Sequence, residues 1–286
     1  MERDVVTTAR RVSGSIAGVV EELELRRPTL VTAEMLVEVL AAAACPLSVA
    51  GAAERLVRSG WLLPLRTRGT WEFVPAARAG RYGSDDDWIE LRAVLARRPD
   101  APVAVAFESA VWVYGFADHR PSHAVYVHRP GWRPPRSCDE LRAVTFDWSL
   151  PTRILDKLPV LDPASVLVAL AERPEVCRDW ANADTWLGAL VDAADPAAVL
   201  DEARARAPAT LARLGHLADW VGHGELAERV RVLLPERLGV TYLGPRGPGA
   251  RFSARWRLYD AALPHRAPAA RPAVPPAGRV PAGRES

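Results

Sequence analysis

The side chains with the clearest chemical potential in this chain are arginines that lie between residues 55 and 68. A guanidinium forms paired hydrogen bonds with a guanine edge or with phosphate oxygens, which is the chemistry of DNA recognition. We expect Arg55 to make a bidentate contact with guanine and Arg58, one helical turn further, to meet phosphate. The full set of candidate DNA-binding residues is Ser48, Gly51, Ala52, Arg55, Arg58, Arg66 and Arg68.

Two helical patterns and a hairpin pattern position these residues. Thr32 is a candidate N-cap for a helix that runs to about Ala44, and Ser48 is a candidate N-cap for a second helix that ends at Gly60. In the second helix we expect Val49, Ala53, Leu56 and Val57 to face the core and Gly51, Ala52, Arg55 and Arg58 to face outward. Extended runs at 62–66 and 70–74 follow, with a basic turn between them. This order predicts a winged helix-turn-helix, whose second helix lies in the major groove.

Several of these candidates have a structural alternative. Ser48 could serve only as a helix cap. Arg66 and Arg68 flank the turn and could touch phosphate or reach a minor groove, or they could be the solvated tip of a hairpin whose charges protect its edge. Residues 1–83 carry 11 arginines against 9 acidic residues, a modest excess of 11 − 9 = 2. We therefore expect salt-sensitive binding that becomes tight only when two copies occupy a palindrome.

The remainder of the chain predicts a larger mixed domain, a helical second half and an unstructured tail. Strands are predicted at 103–107, 123–128 and 144–148, helices at 108–114 and from Asp162-Pro163, a helical region at 175–238, and extended segments at 240–243 and 255–259. We place a domain boundary near Gly83 and expect disorder in the Ala/Pro/Arg-rich residues 265–286. The predicted fold class is α+β, with domains at 1–83 and 84–264 and a tail at 265–286.

Composition limits the classes of protein that this chain could represent. Its 286 residues are 49% hydrophobic and 25% charged, with a net charge of +2, so a DNA site must be a local patch. The three cysteines are far apart and support neither a disulfide framework nor a zinc site, which fits a reducing cytoplasm. No signal peptide and no apolar run of about 18 residues is apparent, so we expect a cytoplasmic protein without a membrane span.

Enzymatic and metal-binding interpretations have weaker support. His119, His123 and His128 lie close together, but Pro121 interrupts the helix that ligands at this spacing would need. The acidic residues 85–87 precede a helix, where they favour its positive end. Ser109 is not part of a nucleophile elbow, and no phosphate-binding glycine motif is present. We therefore expect no catalytic residues, no metal and no cofactor.

Three segments, in order, carry a family resemblance. Gly60-Trp61-Leu62 leads into the wing; residues 107–116 read as a strand end, a short helix and a glycine turn; residues 161–168 open the next helix. Together they resemble the AbiEi antitoxins of abortive-infection toxin–antitoxin systems over about residues 12–263. The motifs are structural rather than catalytic, so it is their order and spacing that support the resemblance.

The resemblance implies a function and two partners. AbiEi antitoxins bind double-stranded DNA at inverted repeats upstream of their own operon and repress it. They also counteract a cognate AbiEii-type nucleotidyltransferase toxin, without forming a stable complex with it in the better-known systems. The C-terminal domain carries most of the antitoxic activity.

A basic, aromatic loop of the second domain is a candidate partner-binding surface. Its residues are Arg129, Trp132, Arg133 and Arg136. This composition could bind RNA or an acidic surface of a toxin, whereas a solvated loop anchored by Trp132 is the structural alternative.

Two other functions remain open at this stage. One is a stand-alone winged-helix regulator whose second domain senses a ligand or dimerises. The other, weaker interpretation is a nucleic-acid-processing enzyme.

Overall fold

The chain folds, in a computed structural model, around two hydrophobic cores that are built from separate stretches of sequence. The structure describes residues 16–78 and 86–265. The first core collects side chains between Ile16 and Phe73, and the second collects side chains between Trp88 and Leu263. The predicted boundary near Gly83 and almost all of the predicted tail lie outside the described residues, so the exact division into domains stays a prediction.

The first core is enclosed by three helices and a small sheet. The elements are α1 (Ala17–Arg26), β1 (Leu30–Thr32), α2 (Ala33–Ala42), α3 (Val49–Arg58), β2 (Leu62–Pro64) and β3 (Thr70–Phe73). The strands form an antiparallel sheet in the order β1–β3–β2. Two helices followed by a β2–β3 hairpin is the arrangement that the sequence predicts for a winged helix-turn-helix.

Local side-chain and backbone chemistry sets the ends of these elements. The Thr32 hydroxyl accepts a hydrogen bond from the N–H of Met35, and the Ser48 hydroxyl accepts one from the N–H of Gly51, each at 3.2 Å. Both predicted N-caps are therefore confirmed. The hairpin turn places Gly69 at φ 74°, a left-handed conformation that glycine adopts without strain.

One orientation predicted for α3 is wrong. Ala52 is fully buried in the first core, together with Ala53 and Leu56, and does not face outward. Residues 49, 52, 53 and 56 follow the i, i+3, i+4, i+7 spacing of a single helix face, so a chain that buries Ala53 and Leu56 also buries Ala52. Ala52 is therefore not available to touch a base edge.

The second core combines a mixed sheet, a helical array and a small C-terminal sheet. Its first half contains α4 (Ile89–Arg97), β4 (Val103–Val105), α5 (Phe107–Val113), β5 (Val125–His128), β6 (Arg142–Thr145), β7 (Arg153–Leu155) and β8 (Leu158–Val160). Its second half contains α6 (Pro163–Glu172), α7 (Ala183–Ala193), α8 (Pro196–Ala203), α9 (Pro208–Trp220), α10 (Gly224–Arg231), β9 (Thr241–Leu243), β10 (Arg251–Ser253) and β11 (Leu258–Asp260). The sheets run β6–β5–β4–β8–β7 and β10–β11–β9. The predicted α+β class with a helical second half is confirmed.

Short strands account for most differences from the prediction. Strands β7, β8 and β10, of three residues each, were not predicted, and Pro159 within β8 argues against a strand there. Asp156 and Lys157 join β7 to β8 at φ 45° and 59°, so the turn carries no glycine signal. Strand β6 covers 142–145 rather than 144–148, and His123 precedes β5.

Helix α6 lies at the centre of the second core. Asp162 caps it by accepting a hydrogen bond from the N–H of Ala164 at 3.0 Å, and Pro163 occupies its first position. Every residue from Pro163 to Ala171 is buried. Helices α5, α7, α8 and α9 all pack against it.

Helix α9 joins this array to the C-terminal sheet through a close glycine–tryptophan contact. A Cβ atom on Gly215 would lie 2.2 Å from the ring of Trp256, which is itself 1% exposed. The indole N–H of Trp256 donates to the carboxylate of Asp219 at 2.6 Å. Packing against Gly215 and the hydrogen bond to Asp219 therefore fix the position of the ring.

A buried carboxylate ties the segment after β6 to α6 and α8. Glu202 accepts hydrogen bonds from the N–H and hydroxyl of Ser149, at 2.9 and 2.8 Å, and from the hydroxyl of Ser165 at 3.3 Å. Arg206 pairs with the same carboxylate at 2.5 Å. Burial by itself would raise the pKa of Glu202, but these donors outweigh it and hold the pKa below the ordinary value of 4.5.

Gly215→Ala should destabilise the protein by about 1–3 kcal/mol, because the added methyl group displaces the Trp256 ring from a packed site. Urea denaturation measures the change. Gly188→Ala on α7 is the matched control, since a Cβ there meets no atom within 4 Å. Alanine should raise stability at this helical position by about 0.5–1 kcal/mol. Equal effects of the two variants would contradict the packing role of Gly215.

Glu202→Gln should lower the free energy of unfolding at pH 7 by about 2–4 kcal/mol, because it removes the charge that Arg206 faces. Since the folded pKa of Glu202 lies below 4.5, its stabilisation is complete above that pH and is lost as the pH falls through the folded value. The difference between wild type and variant should therefore shrink in acid. A constant difference between pH 7 and pH 3 would refute this linkage.

Candidate nucleic-acid interface

The outer face of α3 presents the predicted base-reading residues to solvent, apart from Ala52. Arg55 and Arg58 are exposed, Ser48 is exposed at the start of the helix, and Gly51 is half-buried beside it. Because the Ser48 hydroxyl is already engaged as a cap, its structural role is established and a base contact would be additional. Arg55 therefore stands nearest to the position that a base-reading side chain occupies.

An acidic residue shares this face and partly neutralises it. Glu54 pairs with Arg58 at 2.5 Å, and both side chains are about 70% exposed, at 71% and 70%. Such an exposed pair contributes little stability and is readily exchanged for another partner of Arg58, such as phosphate. Glu72 on β3, in contrast, is buried and does not contribute to the surface.

The wing turn, residues 65–69 between β2 and β3, contacts two acidic residues of the second domain. The N–H groups of Arg66 and Thr67 donate to the Glu90 carboxylate at 2.6 and 3.2 Å, and the Thr67 hydroxyl donates to it at 3.1 Å. The Arg66 guanidinium pairs with Glu140 at 2.5 Å. These two acids carry no signal in the sequence, because a contact between residues 24 or 74 positions apart leaves no local pattern.

The second wing arginine lies at the same junction. The side chain of Arg68 is exposed, while its carbonyl oxygen accepts a hydrogen bond from the Arg97 guanidinium at 3.2 Å. The guanidinium of Arg97 would also lie 3.0 Å from a Cβ atom on Gly69. Helix α4 therefore contacts the wing turn through an acidic side chain, Glu90, and a basic side chain, Arg97.

The predicted partner-binding loop is held more firmly than its composition suggests. Trp132 is half-buried against the second core, with its ring 5.7 Å from that of His128. The Arg129 guanidinium lies 4.8 Å from the ring of Trp148, a cation–π distance. Arg133 and Arg136 are exposed. Within this loop, Trp132 acts as an anchor, and only the exposed arginines are free to meet a partner surface.

Residues considered for enzymatic chemistry have structural partners. The hydroxyl of Ser109 is buried and accepts a hydrogen bond from the N–H of Val125 at 2.8 Å. Asp86 accepts from the N–H of Trp88 at 2.9 Å and pairs with Arg92 at 2.7 Å, while Asp85 lies outside the described residues. Over residues 16–78 and 86–265, no group of three His, Cys, Asp or Glu side chains is arranged to hold a metal ion.

One buried acid has an unmatched oxygen. Glu108 lies at the start of α5, 7% exposed, and its Oε2 atom has no hydrogen-bond partner. Burial raises the pKa of Glu108, and burial likewise raises the pKa of the neighbouring Cys177 thiol well above its ordinary value. Both groups are thereby held toward their neutral forms inside the core.

An open groove of about 1560 Å³ separates the first core from the second. Residues 28–35 line one side, and residues of α4 and of the β6–β8 region line the other. The lining mixes tryptophan and aliphatic side chains with charged groups such as Asp87, Arg120 and Lys157.

Within the residues that the structure describes, no helix is both long enough and apolar enough to span a membrane.

Comparisons with known proteins agree with the sequence resemblance. Residues 103–220 match the family described as AbiEi antitoxin C-terminal domain. The crystal structure of the RV2827C protein from Mycobacterium tuberculosis is similar, with a TM-score of 0.78 and 27% sequence identity. That likeness covers 89% of this chain and 94% of that chain, so it extends well beyond the matched domain. Comparison with curated proteins finds no match.

The matched segment begins at β4 and ends with α9. It therefore includes the mixed sheet, the buried helix α6 and the helices packed around it. Residues 103–220 of this chain therefore resemble the AbiEi antitoxin C-terminal domain in sequence.

Proposed function

We propose that this protein is a DNA-binding antitoxin that represses its own operon and counteracts a cognate AbiEii-like nucleotidyltransferase toxin. The observation that carries the proposal is the combination, in one chain, of an AbiEi antitoxin C-terminal domain with a helix-turn-helix and hairpin unit. The proposed protein is a binding module and not an enzyme.

Helix α3 has the dimensions and the exposed side chains that major-groove binding requires. Its ten residues extend about 15 Å, and the major groove is about 12 Å wide. We assign base contact to Arg55, and phosphate contact to Arg58 once it leaves Glu54. Ser48 and Gly51 line the approach of the helix to the bases. Two copies on an inverted repeat would supply the affinity that one modestly charged unit lacks.

The antitoxic role is assigned to the second core. Its matched domain is the part of the chain that the family shares, and its exposed loop arginines Arg133 and Arg136 offer a basic surface. Arg129 and Trp132 hold that loop in place through their contacts with Trp148 and His128. This surface fits the acidic surface of a toxin or a nucleic acid on which the toxin acts.

A stand-alone regulator is the second candidate function. The groove between the two cores favours it, since clefts at domain junctions are frequent ligand sites. A small molecule that binds in this groove and changes DNA affinity, in a cell without the toxin gene, would support a regulator in place of an antitoxin.

Arg55→Ala should reduce discrimination between the operator and a shuffled duplex by about 1–3 kcal/mol, because a bidentate guanine contact is lost. Fluorescence-anisotropy titration of full-length protein at two salt concentrations measures it. Arg68→Ala should weaken binding to both duplexes alike, since phosphate carries no sequence information. Arg229→Ala, an exposed arginine on α10, controls for the change in charge. Unchanged discrimination with Arg55→Ala would show that α3 does not dock as proposed.

Full-length protein should restore growth to cells that express the nucleotidyltransferase encoded beside its gene. The Arg55→Ala variant should rescue equally well while losing operator repression, because the two activities are assigned to different cores. Colony counts and an operator-driven reporter, measured in the same cells, separate these activities. Absence of rescue by the wild-type protein would remove the antitoxin role and leave the DNA-binding role intact.

A further inference from the structure

The wing turn contains three hydrogen-bond donors that converge on one anion. The N–H of Arg66 donates to one carboxylate oxygen of Glu90, and the N–H and hydroxyl of Thr67 donate to the other. Consecutive backbone N–H groups joined by a hydroxyl form a concave site for an oxyanion. The site therefore suits a group with several negatively charged oxygens, which a phosphate supplies as well as the carboxylate that occupies it.

The same donors are those that proteins present to the DNA backbone. Backbone N–H groups, threonine hydroxyls and arginine side chains supply a large share of protein–phosphate contacts. The exposed guanidinium of Arg66 adjoins the site and would add a charge-assisted bond to a phosphate. In the proposed docking, the wing lies over the backbone beside the groove that α3 enters.

We infer that the amides of Arg66 and Thr67, with the Thr67 hydroxyl, form a phosphate-binding site for the DNA backbone that Glu90 occupies in this conformation. Glu90 then competes with DNA, and the second core limits the affinity of the first. This inference rests on the proposed DNA-binding function and adds its regulation.

The contacts that hold the wing are of a strength that DNA can displace. The Arg66–Glu140 pair is exposed, with side chains 54% and 78% accessible, and such pairs contribute little. Arg97 adds one hydrogen bond to the Arg68 carbonyl oxygen. Glu90 is the partner with three hydrogen bonds, so its release is the step that sets the barrier to phosphate binding.

The test compares variants of the full-length protein on a 20-base-pair duplex of random sequence, by anisotropy at several salt concentrations. Glu90→Ala should raise affinity about tenfold, which corresponds to one or two hydrogen bonds to a charged group. Glu140→Gln, which leaves α4 unchanged, should raise it about twofold to threefold. The slope of log affinity against log salt should steepen by about one phosphate contact with Glu90→Ala. Glu225→Ala removes an exposed acid from the first turn of α10 and should change affinity by less than twofold.

Amide hydrogen exchange of residues 62–71 provides a second measurement that needs no DNA. The Arg66 and Thr67 amides should be protected in the wild type and should exchange faster in Glu90→Ala, but not in Glu225→Ala. Faster exchange together with higher affinity supports the inference.

Four results would overturn it. The first is an equal gain in affinity with Glu90→Ala and Glu225→Ala, and the second is wing exchange that Glu90→Ala leaves unchanged. The third is selection of the operator by the wild type while Glu90→Ala binds no more tightly; this inference alone then fails. The fourth is an absence of binding to any duplex by any variant, which would overturn the proposed DNA-binding function and this inference together.

Discussion

The burial of α6 from Pro163 to Ala171 is the constraint on which the second core depends. A helix that is apolar on all sides is stable only when other elements cover every face. Helices α5, α7, α8 and α9 supply that cover, and residues 163–171 are all buried as a result. The backbone N–H and C=O groups at the two ends of α6 are covered as well, so they need hydrogen-bond partners from elsewhere in the chain.

Arginine side chains meet much of that polar requirement. Arg213 on α9 donates to the carbonyl oxygens of Tyr242 and Ala171, at 2.7 and 3.2 Å, and so joins the C-terminal end of α6 to β9. Arg206 pairs with Glu172 and Glu202, at 2.9 and 2.5 Å, and stacks on Phe146. Arginines such as these stabilise the fold. An arginine of this chain therefore indicates a nucleic-acid site only where it is exposed on a suitable element.

The same principle links the two cores. Helix α4 packs its apolar side into the second core and turns Glu90 and Arg97 toward the wing, so α4 holds the tip of the β2–β3 hairpin through hydrogen bonds. The proposed DNA contacts and the observed contacts compete for the same donors. Under the proposed function, such competition would let the second domain influence repression without touching DNA, since it would only have to stabilise or release the wing.

The amino-acid sequence by itself determined the features that depend on neighbours within about four residues. These include the caps at Thr32, Ser48 and Asp162, the proline starts of α6, α8 and α9, the glycine turn of the wing and the α+β class. Hydrogen bonds and steric limits of this range are visible as spacing, and the order of such signals also carried the resemblance to AbiEi antitoxins. Strands β7, β8 and β10 were missed; the turn between β7 and β8 carries no glycine, and β8 contains Pro159, which argues against a strand.

Tertiary structure alone decided which faces are buried and which charges meet. Ala52 was predicted to face outward because alanine suits either environment, whereas it packs in the first core on the face that Ala53 and Leu56 also occupy. Trp132 anchors its loop by packing against His128. Glu90 and Glu140 contact the wing although they lie 24 and 74 residues from Arg66 in sequence. Such contacts form when the burial of apolar surface brings distant segments together. The hydrophobic effect is non-directional, so a local sequence pattern does not show which segments will meet.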